Sequence, residues 1–137
     1  MEKEFEIVLG ARKKVDAKVK GFTICTDQPV SAGGENSDPS LFDLFLASIG
    51  TCAGSYVSEF CTSRSIPTDS IKITETIYSN DTTHMVEKIT INLDLPPDFP
   101  EKYRTAVVKA AESCPVKKHL SVPPLIQIAA LMKSAAL

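Results

Sequence analysis

Residues 39–65 read PSLFDLFLASIGTCAGSYVSEFCTSRS, and this stretch decides the fold. Its apolar side chains recur at three- and four-residue spacing over about five turns, which predicts a long, largely buried helix over residues 40–64. The side chains around Cys52 are small: Ser48, Gly50, Thr51, Ala53, Gly54 and Ser55. Each glycine costs about 1 kcal/mol in a helix interior. Small residues therefore indicate a close approach, either by a tightly packed helix or strand or by a pocket beside a thiol.

The segment before this helix has the pattern of short strands. Apolar and polar residues alternate within residues 4–27, with punctuation at Gly10 and Gly21, which predicts a three-stranded antiparallel meander. Residues 31–40 carry two glycines, a proline and polar side chains, so they predict a loop that enters the helix. Asp38 or Ser40 is expected to be its N-cap.

The segment after the helix predicts a hairpin and a second helix. Alternation over residues 71–95, broken by a polar turn, indicates two paired strands, and helical spacing over residues 100–114 indicates a helix. Pro115 should end or kink that helix beside Cys114. A last strand is expected at about residues 125–130. By its length the chain is expected to form one domain over residues 1–137.

Charge and composition limit the kinds of partner that we expect the protein to bind. The chain has 137 residues and a formal net charge of −2, with acids and bases interspersed and no basic stripe. We therefore expect neither nucleic acid nor a membrane as a partner. The N-terminus lacks the basic and apolar regions of a signal peptide, so we expect a cytoplasmic protein. Its four cysteines are then core thiols, metal ligands or redox residues rather than a permanent disulfide framework.

The cysteine spacings exclude several arrangements. Cys52 and Cys61 are nine residues apart, so on one helix they point about 180° apart and lie about 13 Å apart along the axis. They can neither form a disulfide nor share a metal ion. No C-x-x-C pair occurs, and His84 and His119 lack ligand-like spacing to any cysteine, which argues against zinc.

The four cysteines differ in their surroundings. Cys25 and Cys61 are expected to be inert packing thiols. Cys52 and Cys114 each lie on a buried helix where the backbone is unusual, and from the residues alone a core role is the commoner explanation for both. If the two meet, one thiolate could attack a peroxide, and the other thiol could condense with the resulting sulfenic acid. A nearby cation would favour the thiolate, and Arg12 is a candidate, although it is also an ordinary turn residue.

Two motifs carry a resemblance to a known family. The run from Asp43 to Cys52, DLFLASIGTC, resembles the segment that ends in the peroxidatic cysteine of the OsmC/Ohr thiol-dependent hydroperoxide reductases. The run from Ser113 to Leu120, SCPVKKHL, resembles the Cys-Pro segment that holds their second cysteine. The resemblance spans residues 5–128 and is closest to the OsmC-like branch.

The resemblance implies an α+β fold in which two chains intertwine into a homodimer, with long central helices wrapped by antiparallel sheets. It also implies a cysteine-based peroxidase without metal or cofactor, in which Cys52 is the peroxidatic thiol and Cys114 resolves it. The implied substrate is a small organic hydroperoxide, and hydrogen peroxide less so, in oxidative stress defence. A dithiol reductant of the lipoyl or thioredoxin type would regenerate the thiols.

This sequence departs from the family pattern at the activating residues. The best-studied peroxidases have a glutamate where Phe42 stands here, and Asp43 is the nearest acid that could orient an arginine. Asp43 lies about 180° from Cys52 on a continuous helix, so it would act through Arg12 or across a dimer. The alternative function is a non-catalytic OsmC-like stress protein that binds an apolar ligand.

Overall fold

The chain begins with a three-stranded antiparallel sheet. The computed structural model describes residues 1–132, so the last five residues of the predicted domain, 133–137, lie outside the described part. The strands, in sequence and spatial order, are β1 (Glu6–Leu9), β2 (Val15–Val19) and β3 (Phe22–Thr26). Lys20 and Gly21 join β2 to β3 with φ of 49° and 80°. A two-residue turn with both φ values positive matches the twist of the strands it connects.

The apolar side chains of this sheet are not covered by the rest of the chain. The exposed large apolar residues of this region are Phe5, Ile7, Leu9, Phe22 and Ile24. None of the fully buried apolar residues within residues 1–132 comes from β1, β2 or β3. The sheet is therefore held by its backbone ladder, with its apolar faces free for another surface.

A compact loop joins the sheet to the long helix and is organised by Asp27, which is 1% exposed. Its carboxylate accepts hydrogen bonds from the backbone N–H groups of Gln28, Glu35 and Ser37 and from the Ser37 hydroxyl, at 2.8 to 3.1 Å. Burial alone would raise the pKa of Asp27, but these donors hold it at about 2. Gly34 packs directly on this turn, because a Cβ there would collide with the Gln28 carbonyl.

The predicted central helix is α1 (Leu41–Thr62). Ser40 is its N-cap, and the Ser40 hydroxyl accepts from the Asp43 N–H at 3.2 Å. Its buried residues follow helical spacing: Ile49, Ala53, Val57, Phe60 and Cys61. The first two turns are instead exposed at Leu41, Phe42 and Phe45. By length and composition α1 also resembles a membrane-spanning helix, a test that the core helix of a soluble protein passes too.

The remaining elements pack on the second half of α1. They are β4 (Lys72–Ser79), β5 (Val86–Asp94), a 3-10 turn (Glu101–Tyr103), α2 (Arg104–Glu112) and α3 (Pro115–Ser121). The helical segment predicted over residues 100–114 is thus a 3-10 turn followed by a shorter α-helix, because the N–H groups of Arg104 and Tyr103 close 3-10 turns first. The short helix α3, which the sequence did not predict, starts at Pro115, where a missing N–H costs nothing.

One apolar cluster holds these elements together. It consists of Val57, Phe60, Cys61, Phe99 and Val107, with side chains of the hairpin packed around it. The rings of Phe60 and Tyr103 meet edge to face with centroids 5.7 Å apart, and the Arg64 guanidinium lies 3.7 Å from the Phe60 ring centroid. The core of the described chain therefore lies at the C-terminal end of α1.

The structure differs from the prediction of a last strand at about residues 125–130. Residues 122–132 lie in no helix or strand, and their apolar side chains are exposed. A strand is defined by hydrogen bonds to a neighbour, and within residues 1–132 neither sheet pairs with this segment. Local alternation predicted the strand, but it carries no information about a partner.

Candidate active site at the Cys52 and Cys114 thiols

The structure brings together two cysteines that are far apart in sequence. Cys52 lies in the middle of α1 and is partly exposed. Cys114 is the second of the two residues between α2 and α3; it is the N-cap of α3 and is 2% exposed. α2 and α3 both pack against α1, and the Cys52 and Cys114 thiols lie close enough that each shifts the pKa of the other. Cys61 points into the core instead, as helical geometry predicts.

The two thiols have opposite pKa shifts. The hydrogen bond to Cys114, followed by burial, raises the pKa of Cys52. Burial alone would raise the pKa of Cys114, but the hydrogen bond from Cys52, the backbone N–H groups of Lys117 and Val116 and the charge of Lys117 lower it. The Val116 N–H also contacts Cys52.

Small residues let a strand approach α1 next to Cys52. A Cβ on Gly50 would lie 2.5 Å from the Glu75 Oε1, and a Cβ on Gly54 would lie 3.7 Å from the Ile73 Cδ1. β4 thus packs on α1 at both glycines. Of the two explanations for the small residues around Cys52, tight packing therefore holds on this side of the helix. The second alternative, a pocket beside the thiol, remains a prediction.

Glu75 is a polar residue on this interface that the sequence analysis missed. Burial raises the pKa of the Glu75 carboxyl, although the Gly50 N–H partly offsets this, and among the described residues Oε2 has no hydrogen-bond partner. A signal was present, because Glu75 occupies the apolar phase of β4, between Ile73 and Ile77. Alternation identified the strand, but an acid in the inward phase was not recognised as buried.

An apolar cavity of about 380 Å³ lies among the elements that carry the two cysteines, although neither Cys52 nor Cys114 lines it. It is bounded by α1, β5, α2 and α3, and its polar side chains are Glu112 and Lys117. The other lining residues are apolar: Ile49, Ala53, Ile89, Ile91, Leu93, Val108, Ala111 and Leu120. Ala53 and Lys117, which line the cavity, lie one and three residues from Cys52 and Cys114 in the sequence, so an apolar ligand held there would lie near the elements that carry the thiols.

The two proposed activating residues lie elsewhere in the described chain. Arg12 is in the turn between β1 and β2, where its Nε is 3.5 Å from the Glu35 Oε1 and its side chain is 66% exposed. Lys14 also contacts Glu35, at 3.1 Å. Asp43 is exposed in the first turn of α1. The roles of Arg12 and Asp43 at Cys52 remain predictions.

The other two cysteines have unlike environments. Cys61 is fully buried, and burial raises the pKa of its thiol, as expected of a packing residue. Cys25 is exposed on β3 rather than packed, because nothing in the described chain covers that face. Within residues 1–132, no three His, Cys, Asp or Glu side chains come together as a possible metal site.

Comparison with known proteins identifies the family. A sequence model of the family described as OsmC-like protein matches residues 34–129, more than half of the chain and inclusive of both cysteine motifs. The chain belongs to the OsmC family. No curated protein matches it. The resemblance of the two cysteine motifs to this family is confirmed.

Solved structures share the fold of this OsmC family chain. An osmotic-stress-induced and detoxification response protein from Psychrobacter arcticus matches with TM-score 0.71 and 19% identity over 86% of this chain and 87% of its own. The OsmC-like protein of Mycoplasma pneumoniae gives 0.68 and 14%, with 88% of each chain covered. The organic hydroperoxide resistance protein OhrB of Bacillus subtilis gives 0.51 and 18%, over 86% and 89%. These matches confirm the predicted α+β fold of a long helix with antiparallel sheets.

Proposed function

We propose that this OsmC family protein is a thiol-dependent peroxidase that reduces organic hydroperoxides in oxidative stress defence. The observation that carries the proposal is the contact between Cys52 and Cys114, two thiols 62 residues apart in the sequence. A partly exposed thiol in contact with a buried one is the arrangement needed to form a sulfenic acid and then trap it. The family of the chain and its likeness to hydroperoxide resistance proteins support this function.

The proposed reaction has two covalent steps. The Cys52 thiolate attacks the terminal oxygen of the hydroperoxide, so an S–O bond forms, the O–O bond breaks and the alcohol leaves after taking up a proton. Sulfur is oxidised and the peroxide is reduced. The Cys114 thiolate then attacks the Cys52 sulfenic acid, which forms the disulfide and releases hydroxide. A dithiol of the lipoyl or thioredoxin type returns both thiols by exchange and leaves as a disulfide.

The cavity supports organic hydroperoxides over hydrogen peroxide. Its lining is apolar except for two side chains, and about 380 Å³ exceeds the space that hydrogen peroxide needs. An alkyl or aryl substituent would displace water from that lining, which adds binding free energy in proportion to the buried apolar area. We place the cycle in the cytoplasm, where dithiol reductants operate.

We further propose that the working form is a homodimer. Apolar residues are exposed at the start of α1 and on the N-terminal sheet. In a symmetric dimer the same surfaces of the two copies would bury one another. In such a dimer Arg12 of one copy would approach Cys52 of the other as the activating cation, with Asp43 orienting it. Neither nucleic acid nor a membrane is part of the proposal.

The cavity is also compatible with a second function that is not catalytic. A stress protein that binds an apolar ligand would use the same lining and would not need thiol activation, and Phe42 in place of the family's glutamate favours it. The proximity of Cys52 and Cys114 favours the peroxidase, because an apolar binding site has no use for two neighbouring thiols.

Consumption of cumene hydroperoxide in the presence of dihydrolipoamide separates the two functions. We expect turnover by the wild-type protein and none by Cys52→Ser. Cys25→Ser is the matched control and should turn over like wild type, because Cys25 is an exposed thiol on β3 and Cys52 lies on α1. Loss of peroxide at the same rate with wild type and Cys52→Ser, or at the blank rate with both, would reject the peroxidase. Displacement of an apolar fluorescent probe would then support the binding protein.

A further inference from the structure

The Glu75 carboxyl lies between the hairpin and α1, and one of its oxygens has no partner. Oε1 lies against Gly50, where a Cβ would be only 2.5 Å away. Oε2 is buried, and no group within residues 1–132 forms a hydrogen bond with it. A carboxyl oxygen that is removed from water and left unpaired costs free energy, and the cost is greater when the group is ionised. The packing of β4 on α1 is therefore suited to a neutral carboxyl.

Glu75 also lies next to the wall of the apolar cavity. In the register of the hairpin its partner on β5 is Ile91, which lines the cavity. The neighbouring residues on the same face of β5, Ile89 and Leu93, line the cavity as well. On α1 the cavity is lined by Ile49, one residue before the point of contact with Glu75. A movement of β4 away from α1 would therefore move two sides of the cavity apart.

The elements around Glu75 supply no counter-ion. Among the described residues Glu75 has no ion pair. α1 carries two acids, Asp43 and Glu59, and neither lysine nor arginine. The other charged residues of β4 and β5 are all exposed: Lys72, Glu87, Lys88 and Asp94. Of these, Glu87 accepts a hydrogen bond from Asn80, and Lys88 lies over the Tyr78 ring. From α2 and α3, Glu112 and Lys117 line the cavity. An ionised Glu75 would thus be a partly buried charge without a partner.

We propose that Glu75 controls the cavity through its proton: the protonated carboxyl allows the hairpin to close on α1 around an apolar ligand, and the ionised carboxyl moves β4 away from Gly50 and admits water. The proposal goes beyond the proposed function and rests on it in one respect, that the cavity is the ligand site. It applies equally to a peroxidase and to a binding protein. Burial raises the pKa of Glu75, which brings its ionisation closer to neutral pH.

The proposal links ligand binding to proton binding. If an apolar ligand binds the closed form, in which Glu75 is protonated, its affinity falls as pH rises through the folded pKa of that carboxyl. The ligand in turn raises this pKa, because coupling between two binding events is reciprocal. One proton is linked to each ligand, so the dissociation constant rises by at most about tenfold per pH unit.

Binding of the uncharged fluorescent probe N-phenyl-1-naphthylamine between about pH 5 and pH 8 tests this link. We expect the wild-type dissociation constant to rise by about tenfold or more over this range, and that of Glu75→Gln to stay low throughout. Glu112→Gln changes a carboxyl on the cavity lining itself and should keep the wild-type pH dependence. The proposal would be overturned by wild-type binding that is absent or independent of pH, or by a pH dependence that Glu112→Gln removes and Glu75→Gln retains.

Gly50→Ala and Gly54→Ala test the point of contact without a change of charge. Both add a methyl group to the interior of α1 and raise its helix propensity equally. The new methyl of Gly50→Ala would collide with the Glu75 carboxyl, whereas that of Gly54→Ala would lie 3.7 Å from the Ile73 Cδ1, an ordinary contact. Gly50→Ala should therefore bind the probe at about pH 5 as weakly as wild type does at about pH 8, and Gly54→Ala should bind it like wild type. Equal affinities of the two variants would contradict the role of this contact.

Amide hydrogen exchange followed by mass spectrometry locates the movement. At pH 8 the peptides of β4 and β5 should exchange faster in wild type than in Glu75→Gln, and at pH 5 the two proteins should exchange alike. Equal exchange at both values would reject the opening of the hairpin. Probe binding that depends on Glu75 in a protein without peroxidase turnover would reject the peroxidase and uphold the proposal. Peroxidase turnover with probe binding independent of pH would do the reverse.

Discussion

The N-terminal sheet and the region from α1 to α3 differ in how far their apolar side chains are covered by the rest of the chain. The fully buried apolar residues among residues 1–132 come from α1 and the segments that follow it, including Val57, Phe60 and Val107. The sheet of β1 to β3 leaves Phe22 and Ile24 exposed. One region therefore carries its own core, whereas the other has an organised backbone and uncovered faces. The proposed homodimer would account for this difference, because a second copy could cover the N-terminal sheet.

Phe60→Ala has the largest expected effect, because it removes a ring from the core of the second region. We expect a loss of about 3 to 5 kcal/mol in the free energy of unfolding, the usual cost of a large cavity in a well-packed core. Urea unfolding followed by circular dichroism measures it. Phe22→Ala, on the exposed sheet, should cost much less at a concentration where the protein is monomeric. Equal losses from both substitutions would remove the distinction between the regions.

Phe45→Asp tests the uncovered start of α1. If a second copy covers this ring, a charge there would be buried without a partner, so the dimer should dissociate. Sedimentation velocity should show a dimer for wild type and a monomer for Phe45→Asp at the same concentration. Ser58→Asp, an exposed change further along α1, is the control for added charge. A monomeric wild-type protein would contradict the proposed dimer.

Asp27→Asn tests the loop that joins the two regions. The folded-state pKa of Asp27, about 2, is below the ordinary 3.8, so its ionised form stabilises the fold above about pH 4. That contribution is lost as pH falls through about 2. The difference in melting temperature between wild type and Asp27→Asn should be constant above about pH 4 and shrink below it. A difference independent of pH would mean that the carboxylate charge is not what orders the loop.

Glu75→Gln has the smallest expected effect and the opposite sign. Burial raises the pKa of Glu75 in the folded state, so the protein gains stability from this residue at low pH and loses it as pH rises through the folded pKa. The amide in Glu75→Gln cannot ionise, so the variant does not lose this stability at high pH. Glu75→Gln should therefore melt at a higher temperature than wild type at pH 8 and at about the same temperature near pH 4. A lower melting temperature at both values would contradict the assignment.

The sequence predicted the helices and strands themselves better than the contacts that they make with the rest of the chain. Alternation and helical spacing are local signals, so the meander, α1 and the hairpin could be read from residues 4–95. The strand expected at residues 125–130 failed to form because pairing depends on a partner, and α3 was missed because its helical phase is too short to read. Glu75 was missed because a strand pattern tolerates one polar residue in its inward phase.

The site itself was only partly predictable. The residues alone left Cys52 and Cys114 as core thiols or as a pair, and helical geometry removed Cys61 from consideration. Their contact depends on how α2 and α3 pack against α1, which is a tertiary property with no local signal. The ion pair of Arg12 with Glu35 and the opposite pKa shifts of the two thiols likewise appear only when the chain is folded.

The measurement closest to the central claim is mass spectrometry of the protein after one equivalent of cumene hydroperoxide, without reductant. The account predicts a disulfide that joins the peptides of Cys52 and Cys114, and a sulfenic acid on Cys52 in Cys114→Ala. Dihydrolipoamide should return both thiols. A protein in which Cys52 and Cys114 stay reduced while the peroxide persists, or in which oxidation occurs at Cys25 alone, would contradict it.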